Sequence, residues 1–335
     1  MTTRIIPDNQ HIHSLFDLGI CEVTPSAGKA LKKIGIDPEL LFERHQCGDW
    51  GRVEDHYIKG NDYSVQQSEP INHAITSRYV LADEVEVRVV TAMSRTRTRL
   101  QLEKEYRNIA VTSAEGYAIW ASEYNVTNIL AVYEEKVVHP IINALGPLKS
   151  VVDIGTGTGR YALHFAETVS RVVGVDESKE MLSVAHRKAQ DHKLTNVEWV
   201  QATLDTSSLP LSSDSFDLLV SALMLSHIEN LRMAISECVR VVRSGGKIIF
   251  TVLHPAAIQW FGWHAEFQTP DGRYCIPDFP HSREDYIDAL QQAGCEVVEI
   301  HDVASGGTDY GDVSKSVVVE SGNPPRCLVL VGQKV

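Results

Sequence analysis

One stretch constrains this chain more than any other: Asp153-Ile154-Gly155-Thr156-Gly157-Thr158-Gly159, which follows Val151-Val152 and leads into a helix-forming segment from Arg160. Three glycines at alternate positions after an apolar strand let backbone come close to a ligand, because no Cβ stands in the way. The N–H groups at the start of the next helix then point toward that ligand. Two phosphate-binding readings fail on the residues. A P-loop ends in Gly-Lys-Ser/Thr, whereas Arg160 and Tyr161 follow Gly159. A dinucleotide loop reads G-x-G-x-x-G, whereas the spacing here is G-x-G-x-G, and a pyrophosphate disfavours a carboxylate at Asp153.

The rest of the C-terminal region alternates strand and helix. Strands are expected at Val151–Ile154, Arg171–Val175, Val197–Gln201, Phe216–Ser221 and Lys247–Leu253, with helices from Arg160 and Lys179 and one ending near Val242. Strands separated by helices predict a parallel, doubly wound α/β sheet. Glu296–His301 and Arg326–Val331 have no helix between them, so the sheet should close with an antiparallel last strand. The N-terminal region has a different grammar. Asp37-Pro38 opens a helix as N-cap and first helical residue. Period-two runs at Ile75–Leu81, Val85–Met93 and Thr96–Leu102 predict a small antiparallel sheet. The expected organisation is therefore a small α+β domain over 1–106 and an α/β domain over 107–335.

Composition narrows the partners. The net charge is −13, with −3 in residues 1–105 and −10 in the remainder by the same counting. Nucleic-acid binding relies on clustered Lys and Arg, so this balance favours a small or cationic acceptor. The alternating Arg95, Arg97 and Arg99 could hold an anion or nucleic acid, but charged edge strands also guard against aggregation, and a protective or merely solvated role is the preferred reading. Six scattered cysteines without a C-x-x-C pair point to reduced thiols rather than disulfides or zinc. His11 and His13 lack companion ligands, so no metal is expected. The sequence shows neither a signal-peptide pattern nor a run of roughly 20 apolar residues. A cytoplasmic protein is expected, and a homodimer is compatible with the sequence.

Four motifs in order carry a family resemblance. After the glycine loop, the second strand ends in Asp176, about 20 residues on, where a carboxylate can accept both hydroxyls of a ribose. Leu204-Asp205-Thr206-Ser207-Ser208-Leu209-Pro210 precedes Asp214-Ser215-Phe216-Asp217-Leu218. Val239-Arg240-Val241-Val242-Arg243-Ser244-Gly245-Gly246-Lys247 makes a helix-to-strand reversal. Together these resemble class I, Rossmann-like S-adenosylmethionine-dependent methyltransferases of the small-molecule type, over roughly 117–331. Leu204 stands where that family has glycine. The resemblance implies a seven-stranded sheet and S-adenosylmethionine as cofactor, held by Asp153, Gly155, Thr156, Gly157, Gly159, Asp176, Glu177, Asp205, Thr206, Ser221 and Tyr124. Asp205 would contact the adenine amino group, and Asp153 suits the ammonium of the methionyl part. Asp176 could instead merely cap the following helix.

The N-terminal stretch resembles a small bacterial domain found in plasmid- and phage-associated proteins. Leu15-Phe16-Asp17-Leu18-Gly19, Arg44-His45-Gln46, Gly48-Asp49-Trp50-Gly51, Asn61 and Glu105-Tyr106 carry that likeness, whereas Val90–Arg95 departs from it.

The acceptor should lie beyond the carboxyl ends of the strands. A lid helix is expected near 115–135, contributing Tyr117 and Trp120, and an acceptor-side insert near 255–286, contributing Trp260 and Phe267. Methyl transfer needs alignment and exclusion of water, and a hydroxyl acceptor also needs a base, for which His is suited. His254 and His281 are the preferred bases, ahead of His227, although each has an equally good structural reading. A small-molecule acceptor is the leading expectation. A nucleic-acid or protein methyltransferase is the alternative, but no Asn/Asp-Pro-Pro-aromatic motif follows the fourth strand. A non-catalytic cofactor sensor is the third.

Overall fold

The computed structural model describes residues 14–66, 73–121, 124, 129–204, 208–261, 265–279, 281–304 and 325–335, apart from the side chains of 129 and 259–261. Two compact units emerge. The first comprises 1–109 together with 267–274, and the second 110–266 with 275–335. Part of the stretch expected as an acceptor-side insert thus belongs with the first unit.

In the first unit, helices Pro25–Lys33 and Pro38–Gln46 begin at Thr24 and Asp37, whose side chains accept the N–H groups of Ala27 and Glu39. Such caps satisfy donors that the first helical turn leaves unpaired. The four-stranded sheet runs Ile20–Val23, Arg97–Leu102, Glu86–Thr91, Ile75–Val80. The last three pair antiparallel, but Ile20–Val23 joins parallel to Arg97–Leu102. The sheet is therefore mixed, not purely antiparallel. The three helices between Ile20–Val23 and the other strands, the third being Asp55–Val65, supply the chain length that a parallel return requires. Arg97 and Arg99 both pair with Glu22 and Asp271. Their charge is matched within the unit, and Arg97–Leu102 lies between two other strands, so these arginines do not guard a sheet edge as expected.

The second unit holds a seven-stranded sheet in the order Cys295–Ala304, Pro325–Lys334, Val242–Leu253, Phe216–Ala222, Ser150–Ile154, Arg171–Asp176, Val197–Gln201. The central pairings are parallel, and Pro325–Lys334 runs antiparallel to both neighbours. Chain order reverses at Ser150–Ile154, whose neighbours are the next strand in sequence on one side and Phe216–Ala222 on the other. Ligands of open α/β sheets gather at such a switch point. Both faces of the sheet are covered. Val152, Val173, Leu219 and Phe250 pack under helix Leu231–Val241, while Val151, Val172, Val220 and Ile249 pack under helices Arg160–Ala166 and Ile129–Ala144. Full burial of each such side chain is worth about 1.5–3 kcal/mol, so the strand ends at the switch point sit on a stiff base. The expected turn at Gly245-Gly246 instead lies within the long strand, where the register shifts between Val242 and Lys247 and Gly245 takes φ +75.

Candidate functional site

The glycine loop is tied to the neighbouring strand before it meets any ligand. Gly155 and Thr156 both donate backbone N–H to the Val175 carbonyl, at 2.8 and 2.9 Å. Gly155 has φ +69, and a Cβ there would lie 2.4 Å from Met224 Cγ. Only glycine satisfies both conditions. Gly157, at φ +54, has open space where its Cβ would be. Gly159, left-handed at φ +87, starts helix Arg160–Ala166.

Two carboxylates anchor this loop. Asp176 accepts the N–H of Gly157 on one oxygen (2.8 Å) and that of Ser178 on the other (2.9 Å). Burial pushes its carboxyl up to about 6 against these bonds, with the nearby Asp153 adding to the rise. Ser178, not Asp176, caps the following helix through Met181 N–H. Asp153 receives the Thr156 hydroxyl at 2.6 Å and the Ala162 N–H at 3.0 Å on the same oxygen. Burial raises it to about 6 as well.

Two cavities meet at the loop, both lined by Gly155, Gly157, Tyr124, Ala222 and Leu223. The first extends over Asp176, Glu177 and Met181 to Leu204, then to Met224, Tyr117 and His227. The second runs over Asp153 and Thr156 toward Arg160, Lys188 and Glu135. Arg160 pairs with both Glu134 and Glu135. Lys188 donates to the Thr158 hydroxyl at 3.1 Å, and burial lowers its pKa.

The region expected as a lid is split between helix Ser113–Trp120 and helix Ile129–Ala144. The first opens with a capping box in which Thr112 and Glu115 satisfy each other's backbone N–H. Tyr117, Tyr124, Ala121, Met181 and Val184 cluster, which fastens the helix beside Lys179–Asp191. Trp120 stacks on Tyr117 with ring centroids 5.8 Å apart.

The three candidate histidines part company. His227 is buried at the first cavity, with Nδ1 2.9 Å from the Pro277 carbonyl and 3.2 Å from an Asp278 oxygen. A carbonyl only accepts, so Nδ1 carries the hydrogen and the neutral ring leaves Nε2 as an acceptor. The Tyr117 hydroxyl lies 2.9 Å from that Nε2. Ala265 N–H donates to the Asp278 carboxylate at 2.5 Å, and the next residue, Phe279, donates its N–H to the Ser226 carbonyl at 2.8 Å. His254 instead donates from Nε2 to Asp302 at 3.0 Å and accepts Ala256 N–H on Nδ1 at 3.1 Å. That places it at the start of helix Pro255–Phe261 with both nitrogens engaged. His281 donates from Nε2 to the Ile228 carbonyl at 2.6 Å and meets Tyr286 edge-on. Neither lines the two cavities.

Of the other expected residues, Gly155, Gly157, Asp176, Glu177, Tyr117 and Tyr124 line the first cavity, and Asp153 and Thr156 the second. Ser221 is fully buried with an unpartnered hydroxyl and lines neither. Phe267 belongs to the first unit, where it stacks on Tyr274 at 5.0 Å. Asp205, Thr206 and the side chain of Trp260 lie outside the described residues. Asp278 and Met181 escaped the sequence reading. Asp278 carried no spacing signal, because it reaches His227 only through the tertiary path of 276–279. Among the described residues no group of three His, Cys, Asp or Glu could hold a metal ion. No helix among them is long and apolar enough to cross a membrane.

Comparison with known proteins bears on this arrangement. Residues 152–250 match the family model described as Methyltransferase domain. The same region is similar to an uncharacterized methyltransferase, YcgJ of Bacillus subtilis, at 38% identity over 99 residues, covering 30% of this chain and 38% of that protein. Demethylmenaquinone methyltransferase of Oceanobacillus iheyensis is 33% identical over 104 residues, covering 30% and 43%. Malonyl-[acyl-carrier protein] O-methyltransferase of Yersinia pestis is 31% identical over 131 residues, covering 38% and 45%. The chain thus spans less than half the length of these three curated relatives. A solved candidate S-adenosylmethionine-dependent methyltransferase from Listeria monocytogenes is 17% identical with a TM-score of 0.50, covering 62% of this chain and 99% of that one. That likeness concerns the fold, an α/β methyltransferase fold with a mixed sheet.

Proposed function

We propose that this chain is an S-adenosylmethionine-dependent methyltransferase acting on a small molecule. The observation that carries this reading is Asp176, which holds the glycine loop through Gly157 N–H and lines the adjoining cavity. A carboxylate in that place suits a ribose diol. Met181, Leu204 and Ile154 give an apolar bed for an adenine ring. The second cavity offers both signs of charge, with Arg160 and Lys188 facing Asp153 and Glu135. That combination suits the carboxylate and ammonium of an amino-acid tail, so the residues fit the cofactor. When bound, S-adenosylmethionine supplies an electrophilic methyl group on a sulfonium. The protein's own part is to hold the ends, exclude water and align the acceptor.

The restricted, aromatic-walled approach through Tyr117 and Tyr124 supports a small acceptor. So does the acidic balance of the chain. The named relatives include a demethylmenaquinone methyltransferase and a malonyl-[acyl-carrier protein] O-methyltransferase. Seven-stranded class I architecture, a separate N-terminal α+β domain, and the cofactor roles of Asp153, Gly155, Thr156, Gly157, Gly159, Asp176, Glu177 and Tyr124 belong to the same proposal.

The test is incubation of the purified chain with methyl-labelled S-adenosylmethionine and, in parallel, a metabolite extract, total RNA and a peptide pool. Label in a metabolite is expected. Label confined to RNA or peptide would overturn the small-molecule reading.

A further inference from the structure

Resting on that reading, we infer that the methyl acceptor is an uncharged molecule with a weakly acidic O–H, a phenol or enol on an apolar body. His227 takes the proton and Asp278 positions His227. The first observation is the base itself. Pro277 and Asp278 fix the Nδ1 hydrogen, so the neutral ring presents a lone pair on Nε2. That lone pair is directed at a hydroxyl, that of Tyr117, 2.9 Å away in the wall of the cavity. An O–H acceptor that displaced this phenol would meet the same acceptor atom. Burial holds Tyr117 well above its ordinary pKa, so it stays a neutral hydroxyl.

The second observation is a charge the wall does not carry. No Lys or Arg is among the described residues that line this cavity. A carboxylate or phosphate acceptor would enter without a counter-charge, at a large desolvation cost. Met224, Leu223 and Ile228 suit a flat apolar body instead. The acidic groups facing His227 and Tyr117 are Asp278 from the 276–279 segment and Asp176 and Glu177 from the end of strand Arg171–Asp176. Tyr124 faces them from beyond the lid helix, and Tyr286 faces Asp278. The acids on the glycine-loop side face the position of the sulfonium cofactor, which accounts for them without a cationic acceptor.

The step balances. The acceptor O–H bond breaks and its proton passes to His227 Nε2. An oxygen lone pair forms the new O–CH3 bond, the S–CH3 bond of the sulfonium donor breaks, and that pair remains on sulfur as a neutral thioether. The imidazolium then returns its proton to water.

Three probes share one apolar body: 2-naphthol, 2-naphthoate and 2-naphthylmethylamine. Each is titrated calorimetrically into the full chain loaded with S-adenosylhomocysteine. Naphthol is expected to bind at least tenfold more tightly than either charged probe. Equal or tighter binding of naphthoate or the amine, or no binding of naphthol, overturns the inference. Loading is measured first, and failure of S-adenosylhomocysteine to bind refutes the earlier reading instead. Asp278→Asn and Asp278→Glu supply the positioning test, with folding checked by thermal unfolding. Removing the negative charge should lower kcat for naphthol and move the acid limb of its pH profile downward, and Glu should restore the limb. A lower kcat with an unmoved limb, or an Asn variant as active as the original, refutes the role of Asp278.

Discussion

Replacing Asp176 by Asn keeps the shape of the side chain and removes its charge, which makes it a sensitive probe of the glycine-loop cavity. In the native protein the two carboxylate oxygens accept Gly157 and Ser178 N–H. The amide has one oxygen, so its NH2 group must face one of those donors. Ribose hydroxyls would also lose a charged acceptor. Charged hydrogen bonds are worth about 1.5–3 kcal/mol and neutral ones about 0.5–1.5. A net loss of roughly 2–3 kcal/mol over two hydroxyls corresponds to roughly 30- to 150-fold weaker binding.

The proton linkage gives a second signature. Burial raises Asp176 from 3.8 to about 6, so the folded chain retains a proton that the unfolded chain releases. Stability from this group is therefore present at low pH and declines as pH rises from about 4 to 6, by roughly 3 kcal/mol. Binding that needs the ionised carboxylate runs the other way, strengthening up to tenfold per unit until about pH 6 and then levelling. Asp153, also raised to about 6, contributes its own proton, which the Asn variant leaves in place. Calorimetric titration of S-adenosylhomocysteine from pH 4.5 to 8 reads both effects. An Asn variant within threefold of the original affinity, or one with an unchanged pH slope, refutes the assignment.

Other expectations follow from the same geometry. Gly155→Ala forces a Cβ against Met224 at a φ of +69; cofactor-product affinity should drop at least tenfold, as read by calorimetry, with a backbone penalty of about 1–2 kcal/mol. His254→Ala loses the Asp302 bond and the Ala256 contact, so urea unfolding should show a loss of about 1–2 kcal/mol while the kcat pH profile keeps its shape. His45 is enclosed between Ser77 and Thr91, and burial lowers its pKa from 6.5 to about 3. Its depressed value means stability is intact above about pH 6.5 and declines as pH falls toward 3, by up to roughly 5 kcal/mol at this one site. Protection against hydrogen exchange across 75–102 of the full chain, taken relative to the intrinsic rate at each pH, should fall with acid, and His45→Gln should flatten that response. Leu330→Ala opens a hole at a fully buried position of strand Pro325–Lys334, with an expected loss of about 2–5 kcal/mol by denaturant, on the order of that seen for buried leucines.

Much of the second unit was legible because its signals are local. A strand, a glycine loop and a helix start lie within a dozen residues around Asp153, and backbone geometry alone makes those glycines informative. Asp176 was readable for a similar reason, since one turn of a strand–helix–strand unit fixes its distance from the loop. The cap at Asp37 likewise depends on a neighbour two residues away. What escaped depends on distant partners. Nothing in the sequence around Ile20–Val23 tells that its mate is Arg97–Leu102 or that it runs parallel. Histidine chemistry was equally opaque: His254, His281 and His227 all sit near strand ends or loops, and only tertiary partners separate them. Two have ring nitrogens committed to Asp302 and Ile228, and the third faces the cavity with Asp278 behind it. Phe267 looked like part of an acceptor flap because it falls between methyltransferase-domain segments, yet it belongs with the first unit.

The most direct test of the central claim is an experimental structure of the chain with S-adenosylhomocysteine bound. The account predicts both ribose hydroxyls on the Asp176 carboxylate, the amino-acid tail in the cavity of Asp153, Arg160 and Lys188, and the sulfur open toward His227 and Tyr117. Ribose bonded elsewhere, or a ligand lodged away from the glycine loop, would contradict it.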